Sequence, residues 1–416
     1  MKKHVDLLIR NASEIVTLRD YGRPRKGSRE MNDIGITKDG FIAIDSGKIV
    51  DIGKSCHYNA DEIIDAKGKT VIPGFVDAHT HLAFSGYRDF ELDLKLRGAS
   101  YTDILNAGGG INYTVKLTRK ASKEELAKRA EERLNVMLAH GTTTCEAKSG
   151  YGLDKDTEIR ILEVYRELNK NHPIDIVSTF LGAHAFPDEF RGRENDYVSF
   201  IADEVIPEVA ERGLAEFCDV FLEKGFFNRD QARRILMKGK EYNLIPKIHA
   251  DELSYCGGAV LAAEINAISA DHLLKISDEG IERLASSKTI AVLLPATVLS
   301  LMEKEFAPAR KLIESKIPVA LATDLNPNCY TENMQLVIQL ACYYMKMTPA
   351  EALVASTINA AYAIGKEHEV GSLDIGKQAD IVILDCPSYT FIPYHFGVNL
   401  VEKVIKKGKI VCENQF

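Results

Sequence analysis

From residue 71 to about residue 365 the chain alternates short apolar runs with amphipathic stretches long enough to be helices, the grammar of repeated βα units. The runs fall at 71–78, 141–147, 174–181, 216–222, 245–249, 267–271, 289–294 and 318–322, eight in all. Eight parallel strands with helical crossovers in that span predict an α/β fold, a closed (β/α)8 TIM-like barrel rather than an open sheet. The connecting segments agree. In 122–139, Leu126, Ala130, Leu134 and Met137 share one helical face, lysines and glutamates occupy the other, and Ser122 stands where an N-cap belongs.

The two ends have a different pattern. Before residue 65, β-like runs (5–9, 41–44, 48–52) alternate with turns, and the basic, turn-rich stretch 21–33 is expected to be an exposed loop. After 365, β-like runs return at 379–384 and 401–406. Because chain termini often lie close together, segments 1–65 and 366–416 are expected to form one composite β-sandwich domain beside a barrel spanning 66–365.

Hydrophobic residues make up 45% of the 416 and charged ones 27%, which excludes a disordered, collagenous or membrane-embedded chain. With 52 basic against 60 acidic side chains the net charge is −8, so neither nucleic acid nor an acidic membrane is an expected partner. An anionic substrate would need its own local cation. Eight scattered cysteines without a CxxC pair read as reduced thiols, and no secretory leader or 18-residue apolar span is visible, so a cytoplasmic location is expected.

The chemistry begins at Asp77-Ala78-His79-Thr80-His81, at the end of the first run. Side chains two apart on an extended segment point the same way, so His79 and His81 can offer two imidazoles to one point. Alone, such a pair is as easily two surface histidines. Other polar residues fall at the ends of further runs: His184 after the third, His249 at the fifth, His272 after the sixth and Asp324 after the eighth. Active sites of such barrels are built at those strand ends. His79, His81, His249 and Asp324 are therefore the candidate ligands of one divalent metal ion, Zn²⁺ or Fe, with Mn²⁺ also suited to the set. Such an ion lowers the pKa of bound water from about 16 toward ~7, and hydrolysis is its natural use.

Glu252, three residues past His249, is placed to move protons, although a first acidic residue of a helix would look the same. Asp251 reads equally well as a cap. His272 is a candidate to orient the water or polarise a carbonyl, against the alternative of a hydrogen-bonded core histidine. The fourth run ends without lysine or histidine, which favours one metal over two, and Lys148 lies on the wrong strand to be a bridging carboxylated lysine.

The stretches FVDAHTHLAFSGYRDFE, HGTTTCEAKSGYGLD, TFLGAHAFPDEF, KIHADELSYCGGAVLAAEINAISADHL and ATDLNP closely resemble the imidazolonepropionase family of the amidohydrolase superfamily, over about residues 70–330. The HxH, single His and Asp pattern belongs to the whole superfamily; KSGYG, FLGAHA and HADE followed by SADHL are far narrower. The resemblance implies ring opening of 4-imidazolone-5-propanoate to N-formimidoyl-L-glutamate in histidine degradation, one Zn²⁺ or Fe ion, and a homodimer. It places ligands on His79, His81, His249 and Asp324, substrate contacts on Arg88, Tyr151, His184, Glu252 and Asn326, and a catalytic histidine on His272. Glu252 and Asp324 would shuttle the proton.

Arg88 also suits the propionate as a planar, two-pronged cation, and Tyr151, on a turn expected to be flexible, has a hydroxyl to donate. The chain departs from the family after Asn326-Pro327, where Asn328-Cys329 replace the usual glycine and small residue. Asparagine tolerates a left-handed turn, while a thiol is a poorer donor than a hydroxyl. Both are carried as substrate contacts. Two other readings stay open: deamination of an aminated heterocycle such as guanine or cytosine, and a catalytically inactive barrel acting as a binding protein.

Overall fold

In the computed structural model, which describes residues 3–99, 103–104 and 107–414, sixteen strands form two sheets. The chain begins with β1 (Lys3–Val16), β2 (Ile36–Asp45), β3 (Lys48–Gly53), β4 (Tyr58–Asp65) and β5 (Thr70–Pro73). It continues through β6 (Phe75–Asp77), β7 (Thr142–Lys148), β8 (Asp175–Ala183), β9 (Phe217–Leu222), β10 (Ile245–Ala250), β11 (Ser269–His272), β12 (Ile290–Leu293) and β13 (Val319–Leu321). It ends with β14 (Ile381–Leu384), β15 (Val401–Lys406) and β16 (Lys409–Glu413).

Strands β6 to β13 pair in sequence order, all parallel, and each overlaps one of the eight predicted runs. The helix Lys123–Ala139 starts where expected, with the Ser122 side chain accepting the Glu125 N–H. One run is corrected. Stretch 71–78 is two strands, because β5 leaves the barrel to pair with β1 and β14, and only β6 beyond Gly74 opens the barrel.

No regular ladder joins β13 to β6. The residues just past them close the ring through a Thr80–Leu325 bridge, with Asp324 N–H donating to the His79 carbonyl (3.0 Å) and His81 N–H to that of Leu325 (2.8 Å). Asp77 reinforces the seam, accepting the Thr323 N–H at 3.0 Å and its hydroxyl at 2.6 Å. The barrel is therefore closed at its C-terminal rim by the segments that carry three candidate ligands.

The terminal strands form one mixed sheet in the order β16-β15-β14-β5-β1-β2-β3, with β4 also on β1. A Lys48–Gln378 bridge ties β3 back toward β14, and Leu7, Ile9, Ile42, Ile44, Ile381 and Ile405 fill the core so enclosed. Lys406 fastens this sheet to the barrel: its ammonium meets Asp175 at 2.7 Å, Asp380 at 2.5 Å and the Thr143 carbonyl at 2.9 Å.

Stretch 21–33 is largely exposed, as expected, but it is not all loop. It contains a short helix, Gly27–Met31, and Arg25 is buried, its guanidinium donating to the carbonyls of Arg19 (2.6 Å), Glu30 (3.3 Å) and Asp33. Its charge is absorbed by backbone carbonyls, a use that the basic composition does not reveal. Among the described residues no helix is long and apolar enough to cross a membrane.

Candidate active site

His79 and His81 follow β6, His249 lies within β10, and Asp324 follows β13. These four meet. His79 Nε2 and His81 Nε2 lie 3.4 and 3.5 Å from Asp324 Oδ1, and His249 Nε2 faces His81 Nε2 at 3.4 Å. His79 Nε2 and Asp324 Oδ1 are buried and have no hydrogen-bond partner among the described residues. Buried polar atoms left without partners are costly, so several turned toward one point are the mark of a site built for a cation. The donor set of neutral imidazoles and one carboxylate fits a divalent transition metal. His272 also comes within ligating range of His79 and His249, and its Nε2 lies 3.6 Å from Glu252 Oε2.

The electrostatics favour metal-binding protonation states. Burial, reinforced by Lys148 and neighbouring imidazoles, holds His79 well below the usual histidine range; His81 and His272 are lowered for related reasons. Neutral imidazole is the form a metal requires. Burial raises Asp324 to about 6, partly offset by the Thr297 hydroxyl, which donates to its Oδ2 at 2.5 Å. Backbone strain collects here too. His272 (φ 77°), Asp324 (φ 53°) and Asp251 (φ 50°) are non-glycine residues in the left-handed region, a conformation costing roughly 1–3 kcal/mol each and found mainly where function demands it.

Behind the ligands lies a layer of ions. Asp271 Oδ2 holds His79 Nδ1 at 2.6 Å, Asp219 Oδ2 lies 2.9 Å from His249 Nδ1, and Lys148 pairs with Asp219 (2.8 Å) and Glu146 (2.7 Å). With His79 Nδ1 hydrogen-bonded to Asp271 and His249 Nδ1 beside the Asp219 carboxylate, both imidazoles turn Nε2 to the centre.

In front of the ligands is a cavity of about 270 Å³ whose walls include Arg88, Tyr151, His184, Glu252, Asn326 and Asn328. His184 Nδ1 donates to the Gly150 carbonyl at 3.0 Å, which leaves Nε2 as an acceptor; burial lowers its pKa to about 3. Gly150 sits at φ 113°, and a side chain there would meet the Leu181 carbonyl at 3.0 Å and His184 Nδ1 at 3.1 Å. The turn bearing Tyr151 is not flexible as expected: the buried Glu158 carboxylate accepts the N–H groups of Gly150, Gly152 and Leu153. Burial, with Asp324 and Glu223, raises Glu252 well above the usual carboxylate range. No helix begins at Glu252, and Asp251 caps instead, accepting from Cys256, Gly258 and Ala259.

The altered loop behaves differently from expectation. Asn328 is not at positive φ, so its value there is not left-handed tolerance. Asn326 spends its side-chain oxygen on the N–H groups of Asn328 (2.7 Å) and Cys329 (2.9 Å) and donates to the Asp324 carbonyl at 2.8 Å. Cys329 is not brought into the cavity. Its thiol is buried 3.6 Å from the Thr323 carbonyl, because the Asn326 turn directs it toward the barrel seam.

Models of the amidohydrolase family match residues 62–196 and 244–411. The imidazolonepropionase of Geobacillus kaustophilus (strain HTA426) is 53% identical over 417 residues, covering 98% of each chain. The chain belongs to the imidazolonepropionase family. The imidazolonepropionase of Alkaliphilus oremlandii (strain OhILAs) is 48% identical over 99% of each chain, and that of Treponema denticola is 53% identical over 90% of this chain and 92% of its own. Among solved structures, a zinc-bound adenosine deaminase from Xanthomonas campestris superposes with a TM-score of 0.72 at 18% identity, over 99% of this chain and 93% of its own. Guanine deaminase from E. coli gives 0.70 at 17%, over 98% and 99%. At that identity they share the fold. In this member of the imidazolonepropionase family, sequence reasoning missed Asp219, Asp271, Glu158, Glu91 and Thr297, which hold the expected residues; Glu91 and Thr297 also line the cavity, and the other three lie behind it. A signal for the first two was present: an acid inside an apolar parallel strand must be paired.

Proposed function

We propose that this protein hydrolyses 4-imidazolone-5-propanoate to N-formimidoyl-L-glutamate in histidine degradation, with one divalent ion, Zn²⁺, Fe or Mn²⁺, held by His79, His81, His249 and Asp324. The observation that carries this reading is the 53% identity with an imidazolonepropionase over 98% of both chains. When bound by His79, His81, His249 and Asp324, such an ion would supply a water acidified toward ~7 and a Lewis acid for the ring carbonyl. Oxygen of water joins the carbonyl carbon, the ring C–N bond breaks, and the nitrogen leaves with a proton.

The chain's own residues do the rest. Glu252 moves the proton from the attacking water to the leaving nitrogen, and its raised pKa suits the donating half of that task. His272, 3.6 Å from Glu252, steadies charge on the carbonyl oxygen. His184 accepts from a ring N–H through Nε2. Arg88, Tyr151, Asn326 and Asn328 face the rest of the substrate from the cavity wall. We further infer a homodimer working in the cytoplasm; all eight cysteines are free, as a reducing compartment requires.

The test is turnover of 4-imidazolone-5-propanoate by purified protein, its loss on chelation and its return with Zn²⁺, Fe²⁺ or Mn²⁺. Ammonia release from guanine or cytosine without ring opening would replace this reading with deamination, and failure to take up metal would leave only a binding protein. Light scattering gives the oligomeric state.

A further inference from the structure

An anionic substrate needs positive charge in the cavity, and Arg88 does not supply it alone. Its Nε and Nη2 form a two-pronged pair with Glu91 at 2.7 and 2.8 Å, both side chains are buried, and Glu91 also accepts the Gly110 N–H at 2.7 Å. That pair is neutral as a unit. One helical turn beyond Glu91 on the same helix, Asp89–Leu96, is Lys95, which also lines the cavity. Its ammonium donates to the Asn328 side-chain oxygen and, at 3.2 Å, to the Ser300 carbonyl. Both partners are uncharged, and among the described residues no carboxylate forms an ion pair with Lys95. An ammonium has three N–H donors, so one remains for a ligand. Asn328 is in turn fixed by its own N–H on Asn326 (2.7 Å) and its amide on Ser300 Oγ (3.3 Å).

We propose that Lys95, positioned by Asn328 and without a direct carboxylate partner among the described residues, is the cation that admits and orients the carboxylate end of the substrate. The inference rests on the function proposed above and extends it: Arg88 and Glu91 set a rigid polar wall, and Lys95 adds a positive charge at that wall, away from the metal ligands. It also gives Asn328 a task that glycine could not perform, since at that position it is the side-chain oxygen that accepts from the ammonium. Burial lowers the Lys95 pKa, opposed in part by the Glu91 carboxylate.

The experiment compares the metal-loaded wild type with Lys95→Met, Lys95→Arg and Asn328→Gly. Calorimetry reads binding of imidazole-4-propanoate and of neutral 4-propylimidazole. The wild type is expected to prefer the carboxylate, and Lys95→Met to lose about ten- to hundredfold of that preference while binding the neutral analogue as before. Lys95→Arg should retain most of it, and Asn328→Gly should give a smaller loss. KM for 4-imidazolone-5-propanoate should rise with the same order while kcat changes little. Full preference retained in Lys95→Met, or equal loss for both analogues, overturns the proposal, the second because it marks a structural role. Wild-type turnover is measured first: its absence removes the functional reading, whereas turnover with an indifferent Lys95→Met overturns this inference alone.

Discussion

Lys148 Nζ lies 2.8 Å from Asp219 Oδ2, and that same oxygen lies 2.9 Å from His249 Nδ1. The ammonium also sits 3.7 Å from Asp271 Oδ2, which holds His79 at 2.6 Å, so one buried cation steadies the carboxylates that orient two imidazoles. Burial opposes its charge, yet Asp219, Glu146 and Asp271 together hold its pKa above the usual lysine value. Lys148→Met would leave three buried acids without their common partner. The expected loss is about 3–5 kcal/mol of stability. Metal affinity should fall roughly 10- to 100-fold as the histidines lose their orientation. Thermal denaturation and metal titration measure the two effects, and unaltered affinity in a folded variant would contradict the second.

Glu252→Gln keeps the shape of the cavity wall and removes the proton carrier. We expect kcat to fall about 10²- to 10⁴-fold with KM and metal content nearly unchanged. Steady-state kinetics with elemental analysis decides it; a fall explained by lost metal would assign Glu252 to the metal's surroundings instead of to proton transfer.

The ligands were legible because each requires only one strand to end in a particular residue. His79 and His81 follow from period-two geometry, and His249 and Asp324 from their places at the ends of apolar runs. Asp219 and Asp271 were harder, since their partners lie on other strands and depend on lateral register that periodicity does not contain. The Arg88–Glu91 pair spans three residues of sequence yet escaped notice, because Arg88 precedes the helix and only its backbone geometry turns the guanidinium onto Glu91. The split at Gly74 did leave a mark, the Pro73-Gly74 breaker inside the run 71–78, but an apolar stretch on either side of it reads as one strand unless the breaker is weighed.

Glu158 stands outside the cavity and controls its shape. Its carboxylate takes three backbone N–H groups of the turn that carries Tyr151. Glu158→Ala would leave those buried donors unpaired, at about 1–3 kcal/mol each before relaxation. Lower thermal stability and a raised KM should appear together, since the loosened turn also carries the Gly150 carbonyl that orients His184. A variant with lower stability and an unchanged KM would mean that the turn survives without its clamp.

Far from the site, His172 gives the fold a pH dependence of calculable sign. At the end of helix Lys155–Asn171 its Nδ1 accepts the Ile174 N–H at 3.1 Å and its Nε2 donates to Asn135 Oδ1 at 3.3 Å, an arrangement that only neutral imidazole can make. Burial lowers its pKa from 6.5 to about 4. Between these values the unfolded chain binds a proton that the folded chain refuses, so unfolding is favoured as pH falls. The contribution is complete above about 6.5, declines through the window, and is gone below about 4. His172→Gln should remove it. Melting temperatures of wild type and variant, recorded from pH 7.5 to 4 in steps of about half a unit, should converge toward the acid end; parallel curves would show that the imidazole titrates as it does in the unfolded chain.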